Sequence, residues 1–251
     1  MDLFDHSRLA VFLLGPNGAG KSSLINVTTG YAAIRAPGRV LFERGTRLEL
    51  HRLSRDQIVK AGVARTFQVP AIFPSLTVEE SLLLAAVLSK PSSLPRRFLS
   101  FFRDLKNDKP SVELVQILIQ HLGLETFAHA HMDELPFRLL RRAELARALA
   151  AQPAILLLDE PTAGGDEFEM EFLIDLVARK LPEMIPSLFE KGLYRNSDLA
   201  IGLVTHDRPL LEGLARSCSE DLMTYHFEQG QLKSSCLLRQ WLNSSSHQND
   251  K

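Results

Sequence analysis

Apolar runs and polar breaks alternate along the chain with the spacing of buried strands separated by helices. Leu9-Ala10-Val11-Phe12-Leu13-Leu14 is unbroken and apolar, which suits a strand covered on both faces. It ends at Gly15-Pro16-Asn17-Gly18-Ala19-Gly20-Lys21-Ser22, and Ser23-Leu24-Ile25-Asn26-Val27 then predicts a helix closed by Gly30. Gly38 to Phe42 predicts a strand, 43–60 a turn with a short helix, and Gly62 to Gln68 a further strand ending at a polar residue. Thr77-Val78-Glu79-Glu80 is a capping box, followed at helical spacing by Leu82, Leu83, Ala86 and Val87 until Pro91 stops the helix. Lys90 to Arg97 reads as a Pro/Ser linker, and Ser111 to Leu122 and Leu139 to Ala151 as helices. Ala154 to Leu158 is a second continuous apolar run and ends in Asp159-Glu160; a helix is predicted over Phe168 to Lys180. Leu199 to Val204 predicts a strand ending at Thr205-His206-Asp207, a hairpin is expected around Gly230, and the polar tail after Trp241 is expected to be disordered.

The break after the first run carries chemistry. Glycines let the backbone wrap an anion with its N–H groups inward, and the helix start adds a favourable partial charge. A buried strand, this loop and a helix start form the context of a phosphate-binding P-loop. Lys21 is then expected to reach the β- and γ-phosphates of a nucleotide and the Ser22 hydroxyl to ligate magnesium. Asp159 and Glu160, at a strand end in an open parallel sheet, face the same crevice. Asp159 is expected to hold magnesium through water and Glu160 to polarise the attacking water. The expected fold class is α/β: a P-loop NTPase (RecA-like) core with a mostly parallel sheet, residues 1–69 and 151–233, plus an inserted helical subdomain at 70–150. Residues 234–251 are expected to hold a C-terminal helix and the disordered tail.

Composition narrows the function. The 251 residues are 45% hydrophobic and 24% charged, with a net charge of −1 that gives no chain-wide attraction for nucleic acid. Two cysteines, Cys218 and Cys236, are too few for a disulfide framework. The N-terminal stretch does not read as a signal peptide and no run approaches a membrane span, so a soluble chain is expected, with any membrane role supplied by a partner. His129-Ala130-His131-Met132-Asp133 lacks a fourth metal ligand, and Arg96-Arg97 and Arg141-Arg142 are expected on solvated helix faces.

The order P-loop, Gln68, helical insert, basic helix, Asp159-Glu160 and His206 resembles the ATP-binding cassette (ABC) transporter family. Gly62-Val63-Ala64-Arg65-Thr66-Phe67-Gln68, with Phe73-Pro74-Ser75-Leu76-Thr77-Val78-Glu79-Glu80, is similar to the ATPase subunits of branched-chain amino-acid and urea importers. The resemblance implies that Gly15, Pro16, Asn17, Gly18, Ala19, Gly20, Lys21, Ser22 and Ser23 hold ATP, and that Ser22, Gln68 and Asp159 hold Mg2+. It further implies that Glu160, His206 and Gln68 serve catalysis, with His206 on the γ-phosphate and Gln68 linking metal and water to a transmembrane permease. The helical insert would dock on that permease near Val69 to Phe73, with the chain at the cytoplasmic face of the inner or plasma membrane.

Three departures stand out. The family's Leu-Ser-Gly-Gly-Gln-type signature falls on Leu135-Pro136-Phe137-Arg138-Leu139, where Pro136 has neither hydroxyl nor N–H. Fourteen residues precede Gly15, where the family has more strands and an adenine-stacking aromatic; Phe4 is the early candidate. Glu160 and His206 are 46 residues apart (206 − 160), longer than usual, with the excess assigned to Leu181 to Asn196. Because cassettes work in head-to-tail pairs, an intact P-loop with a poor signature favours a heterodimer with a second cassette over a homodimer. The rival reading is a non-catalytic or truncated nucleotide-binding regulator. A DNA-repair cassette needs a long coiled-coil insert that this sequence lacks.

Overall fold

A computed structural model describes residues 10–34, 38–44, 46–90, 107–218 and 222–246 of the protein. β1 (Ala10–Leu14) leads through the glycine loop into α1 (Lys21–Thr28). β2 (Leu41–Arg44) and β3 (Thr46–Glu49) form a separate antiparallel hairpin. The second of these strands replaces the turn expected there: its polar sequence, with Arg47 exposed, contains no apolar run to announce it. α2 (Arg55–Ala61) ends at Gly62, and β4 covers only Val63–Arg65, so that Thr66, Phe67 and Gln68 leave the sheet rather than extending it.

The helical insert contains α3 (Val78–Leu88), α4 (Lys109–His121) and α5 (Phe137–Ala150). The capping box is present in full: Glu80 N–H donates to Thr77 Oγ1 at 3.2 Å and Thr77 N–H to Glu80 Oε2 at 3.1 Å. Most of the predicted Pro/Ser linker lies outside the described residues. β5 (Ile155–Asp159) follows, and then α6 (Glu167–Asp175) runs through a π-helical turn at Leu176–Lys180 into α7 (Leu181–Glu190). Pro182 has no N–H for the α-ladder, and the wider turn falls immediately before it. The extra residues between Glu160 and His206 thus form a helix anchored by buried Leu181, Met184, Ile185 and Leu188. β6 (Ala200–Val204), α8 (Arg208–Ser217), β7 (Met223–Glu228) and β8 (Gln231–Leu237) complete the core, with the β7–β8 hairpin turning at Gly230 as expected. α9 (Leu238–Ser246) carries helix past Trp241 into the expected disordered tail, anchored by buried Leu238; residues 247–251 lie outside the described set.

The main sheet has the order β4-β5-β6-β1-β7-β8, parallel throughout except for β8 at its edge. Alternation along each strand divides the core. Phe12, Leu14, Leu156, Leu158, Ile201 and Leu203 face the larger apolar cluster, which includes the helical insert. Leu13, Leu157 and Val204 face a smaller one with Ile25 of α1 and Ile58 of α2. Both faces are covered, which is why these strands read as unbroken apolar runs. Val204 pairs with Leu13 of β1 and with Asp159 of β5, so three strands end level at one edge.

Candidate active site

At that edge the glycine loop is held from two sides. Gly20 caps α1 with φ +97°, and the turn of the β7–β8 hairpin lies against it: Gly230 N–H donates to Ala19 O at 2.9 Å. Gly15 is in closer contact still, since a Cβ there would stand 2.1 Å from Phe227 O. Lys21 is 5% exposed and folds back over the loop, donating from Nζ to Gly15 O at 2.6 Å and Pro16 O at 2.9 Å. Burial lowers its pKa against the opposing pull of Glu160 and Asp159. Ser22 and Ser23, in the first turn of α1, are exposed.

Asp159 closes β5 and is 4% exposed. Its Oδ2 accepts from Arg65 Nη2 at 3.2 Å, while its Oδ1 is buried with no hydrogen-bond partner among the described residues. Burial raises the carboxyl's pKa, and Arg65 and then Lys21 pull it back. A buried carboxylate oxygen with no donor is costly unless a cation meets it. Together with a buried lysine, a backbone cradle and a serine hydroxyl at the helix start, this donor set fits a phosphate group with a hard divalent cation.

Glu160 stands one residue on, with φ +50°, and its N–H donates to Val204 O at 2.9 Å. The left-handed backbone ends β5 at Asp159 and leaves Glu160 outside the strand. Glu160 Oε1 lies 3.4 Å from His206 Nε2. Burial raises the Glu160 pKa, and His206 opposes this first. His206 is set by a local turn: Thr205 Oγ1 accepts from Asp207 N–H at 3.0 Å, and Asp207 caps α8 by accepting from Leu210 N–H at 3.2 Å.

Gln68 is exposed, and its carbonyl accepts from Arg141 Nη2 at 3.2 Å. Arg141 and Arg142 correct the expectation of a solvated helix face. Arg141 holds the main chain of Gln68, Glu160 and Pro161, and Arg142 donates to Glu169 at 3.0 and 2.5 Å while lying 3.7 Å from the centre of the Phe172 ring. The partners of Arg141 lie in loops and those of Arg142 in α6, all distant in sequence, which a helical-face reading of the chain does not contain. Arg65 was equally invisible as a partner of Asp159. Its Nη1 also donates to Asn26 Oδ1 at 2.6 Å, and its guanidinium lies 4.5 Å from the centre of the Phe67 ring.

The signature-region residues begin α5. Pro136 is its N-cap with no side-chain cap bond, Leu135 and Leu139 are buried, and Phe137 and Arg138 are exposed. Phe137 and Arg138 border an open pocket that Thr66, Asp159, Gly164 and Gly165 also line. The early aromatic Phe4 lies outside the described residues. Among the described residues no cluster of metal-ligating side chains occurs, the 129–133 stretch included, and no helix is long and apolar enough to cross a membrane.

Comparison with known proteins converges on one family. The family model described as "ABC transporter" matches residues 6–163. The high-affinity branched-chain amino acid transport ATP-binding protein LivG of Escherichia coli K12 is 31% identical over 205 residues, 82% of this chain and 74% of that protein. BraF of Pseudomonas aeruginosa, of the same description, is 29% identical over 82% of this chain and 74% of its own length. Among solved structures, the ADP conformation of an ATP-binding cassette superposes with TM-score 0.65 at 22% identity, covering 94% of this chain and 85% of that one. A dimeric post-hydrolysis cassette bound to ADP and Pi does so with TM-score 0.65 at 21% identity, covering 95% and 88%. The level strand ends, the glycine loop and these matches lead to one conclusion: the chain belongs to the ABC transporter family and is an ATP-binding ATPase cassette of that family.

Proposed function

We propose that the protein is the energy-coupling subunit of an importer for branched-chain amino acids or similar small polar solutes. One observation carries the catalytic part: the Gly15–Ser22 loop, the buried unpartnered Oδ1 of Asp159, and the Glu160–His206 contact lie at the level ends of β1, β5 and β6. The solute class is supported by the descriptions of LivG and BraF.

In this reading ATP is the substrate. The backbone from Gly15 to Ser23 cradles its phosphates, and Lys21 exchanges its two carbonyl partners for the β- and γ-phosphates. Ser22, Asp159 and Gln68 would hold Mg2+, which when bound supplies charge neutralisation at the phosphates. Glu160 accepts a proton from the attacking water, and the lift that burial gives its pKa improves it as a base. His206, in contact with Glu160, is set to meet the γ-phosphate. Residues 1–69 and 151–233 form the ATPase core, 70–150 the helical subdomain, and 234–251 the C-terminal extension. The exposed apolar residues Val69 and Phe73 beside Gln68 suit a contact with transmembrane permease subunits, at the cytoplasmic face of the inner or plasma membrane.

The start of α5 favours pairing with a second, different cassette. Pro136 offers no N–H, and Phe137 and Arg138 occupy positions where a nucleotide held by a partner would need close backbone approach. Purification of the complex from membranes, with its components identified by mass spectrometry, tests the whole reading. Permease subunits and a second cassette are the expected companions. Recovery free of membrane proteins, with no ATP turnover, would support the non-catalytic alternative.

A further inference from the structure

Two side chains of α5, three residues apart on one side of the helix, reach both loops of the site. The Arg141 guanidinium donates from Nη1 to Glu160 O at 3.3 Å and Pro161 O at 2.9 Å, and from Nη2 to Gln68 O at 3.2 Å. Glu144, only 3% exposed, accepts at Oε1 from Phe67 N–H at 3.3 Å and Ala71 N–H at 3.5 Å, with Arg147 3.9 Å away. We propose that Arg141 and Glu144 are positioning residues that fasten the Gln68 loop and the carbonyl side of Glu160 to α5.

The geometry needs these residue types. A planar guanidinium presents donors on separate nitrogens in diverging directions, so a single Arg141 spans two loops; an ammonium's donors all leave one nitrogen and lack that span. Phe137, one turn earlier, lies 4.8 Å beneath the Arg141 guanidinium and keeps the fork in orientation. Glu160 has φ +50°, a conformation that persists only where its surroundings hold it. β6 holds it through the bond from Glu160 N–H to Val204 O at 2.9 Å, and Arg141 holds the other side of the residue. Glu144 supplies the complement: its carboxylate takes two N–H groups of the loop whose carbonyl Arg141 takes. A displacement of α5 therefore pulls on Gln68 and on the carbonyl side of Glu160 together, while the Glu160 N–H and Asp159 stay with the sheet through β6 and Arg65. This deepens the reading of Glu160 as the water-polarising base and rests on it.

Hydrogen–deuterium exchange of the full chain, without nucleotide, tests the clamp by itself. The amides of Glu160, Ala163 and Gly165 are hydrogen-bonded in the second loop, and those of Phe67 and Ala71 in the first, so both loops report. Arg141→Gln is expected to raise exchange about tenfold in both 66–71 and 160–165, the scale of one lost charge-assisted hydrogen bond. Glu144→Gln is expected to raise it in 66–71 alone, with β1 and α8 unchanged in either variant. In the assembled complex, Arg141→Gln lowers kcat with little change in KM, and Arg141→Lys does not restore it. Unchanged exchange in the two loops, or a uniform rise across the sheet with a lower melting temperature, would overturn the clamp. Normal turnover by Glu160→Gln would remove the base reading and leave the exchange result to decide the clamp.

Discussion

The Arg65 guanidinium lies 3.2 Å from the Asp159 carboxylate, and the two side chains are 8% and 4% exposed. Burial shifts each group toward its neutral form, lowering the Arg65 pKa and raising that of Asp159, with the pairing acting against it. The pair therefore orients more than it stabilises. Arg65→Met leaves a buried carboxylate without its counter-ion and is expected to cost about 3–5 kcal/mol in denaturant unfolding. Arg65→Met combined with Asp159→Leu should cost less than Arg65→Met alone. A double variant as unstable as the sum of the two single ones would show that Asp159 does not feel the loss of Arg65.

Glu160 gives a dependence on pH with a definite sign. Its pKa is raised on folding, mainly by burial, so the folded chain binds the proton more tightly than the unfolded one. Stability then falls as pH rises from the unfolded pKa through the higher folded one, and the cost is present in full above both. Glu160→Gln removes that cost and should match or exceed the wild type in stability at neutral pH, with the difference vanishing in acid. Thermal melts at several pH values check this. Hydrolysis by the wild-type complex should fall on its acid side at a higher pH than an ordinary glutamate's pKa of about 4.3, while Glu160→Gln retains ATP and turns over slowly.

The glycine loop separates space from backbone conformation. Gly18 has φ +78° with nothing within 4 Å of an added Cβ, so Gly18→Ala carries only the left-handed penalty of about 1–2 kcal/mol. Gly15→Ala must in addition displace Phe227 O, 2.1 Å from its Cβ, and should cost more than Gly18→Ala. Equal midpoints in urea for the two variants would contradict this close approach of β7 to the loop.

The start of α5 predicts asymmetric repair. Pro136→Ser with Arg138→Gly returns a hydroxyl, an N–H and room for backbone approach at a helix start. Hydrolysis by the isolated chain should rise several-fold, the scale of one or two added charge-assisted hydrogen bonds. The pair formed with a second cassette should gain less, because that partner supplies its own signature. Vigorous, ATP-cooperative hydrolysis by the unaltered chain, unmoved by the repair, would favour a homodimer instead.

Much of this was legible in the sequence because it rests on local patterns. The apolar runs before Gly15, Asp159 and His206 mark strands covered on both faces, and the Thr77–Glu80 box marks a helix start within four residues. β3 was not legible, since its polar sequence contains no apolar run. Nor was the network of arginines. Arg65 and Asp159 are 94 residues apart, and Arg141 reaches Gln68 across 73. A residue type that pairs through tertiary structure has the same letter as one in solvent, and only the fold distinguishes them.

The position of β1 has a consequence for how the protein is made. Its two neighbours in the sheet are β6 and β7, and the brace on its loop is Gly230. β1 thus waits for the residues from Ala200 onward before either of its edges is paired. At about 5–20 residues per second, that interval is on the order of ten to forty seconds. Throughout it, Phe12, Leu13 and Leu14 form part of an apolar strand with two open edges, which is a target for chaperones and for other nascent chains. The nucleotide cradle is finished only once the β7–β8 turn has been made, and a chain released before residue 230 would carry the motif without the site.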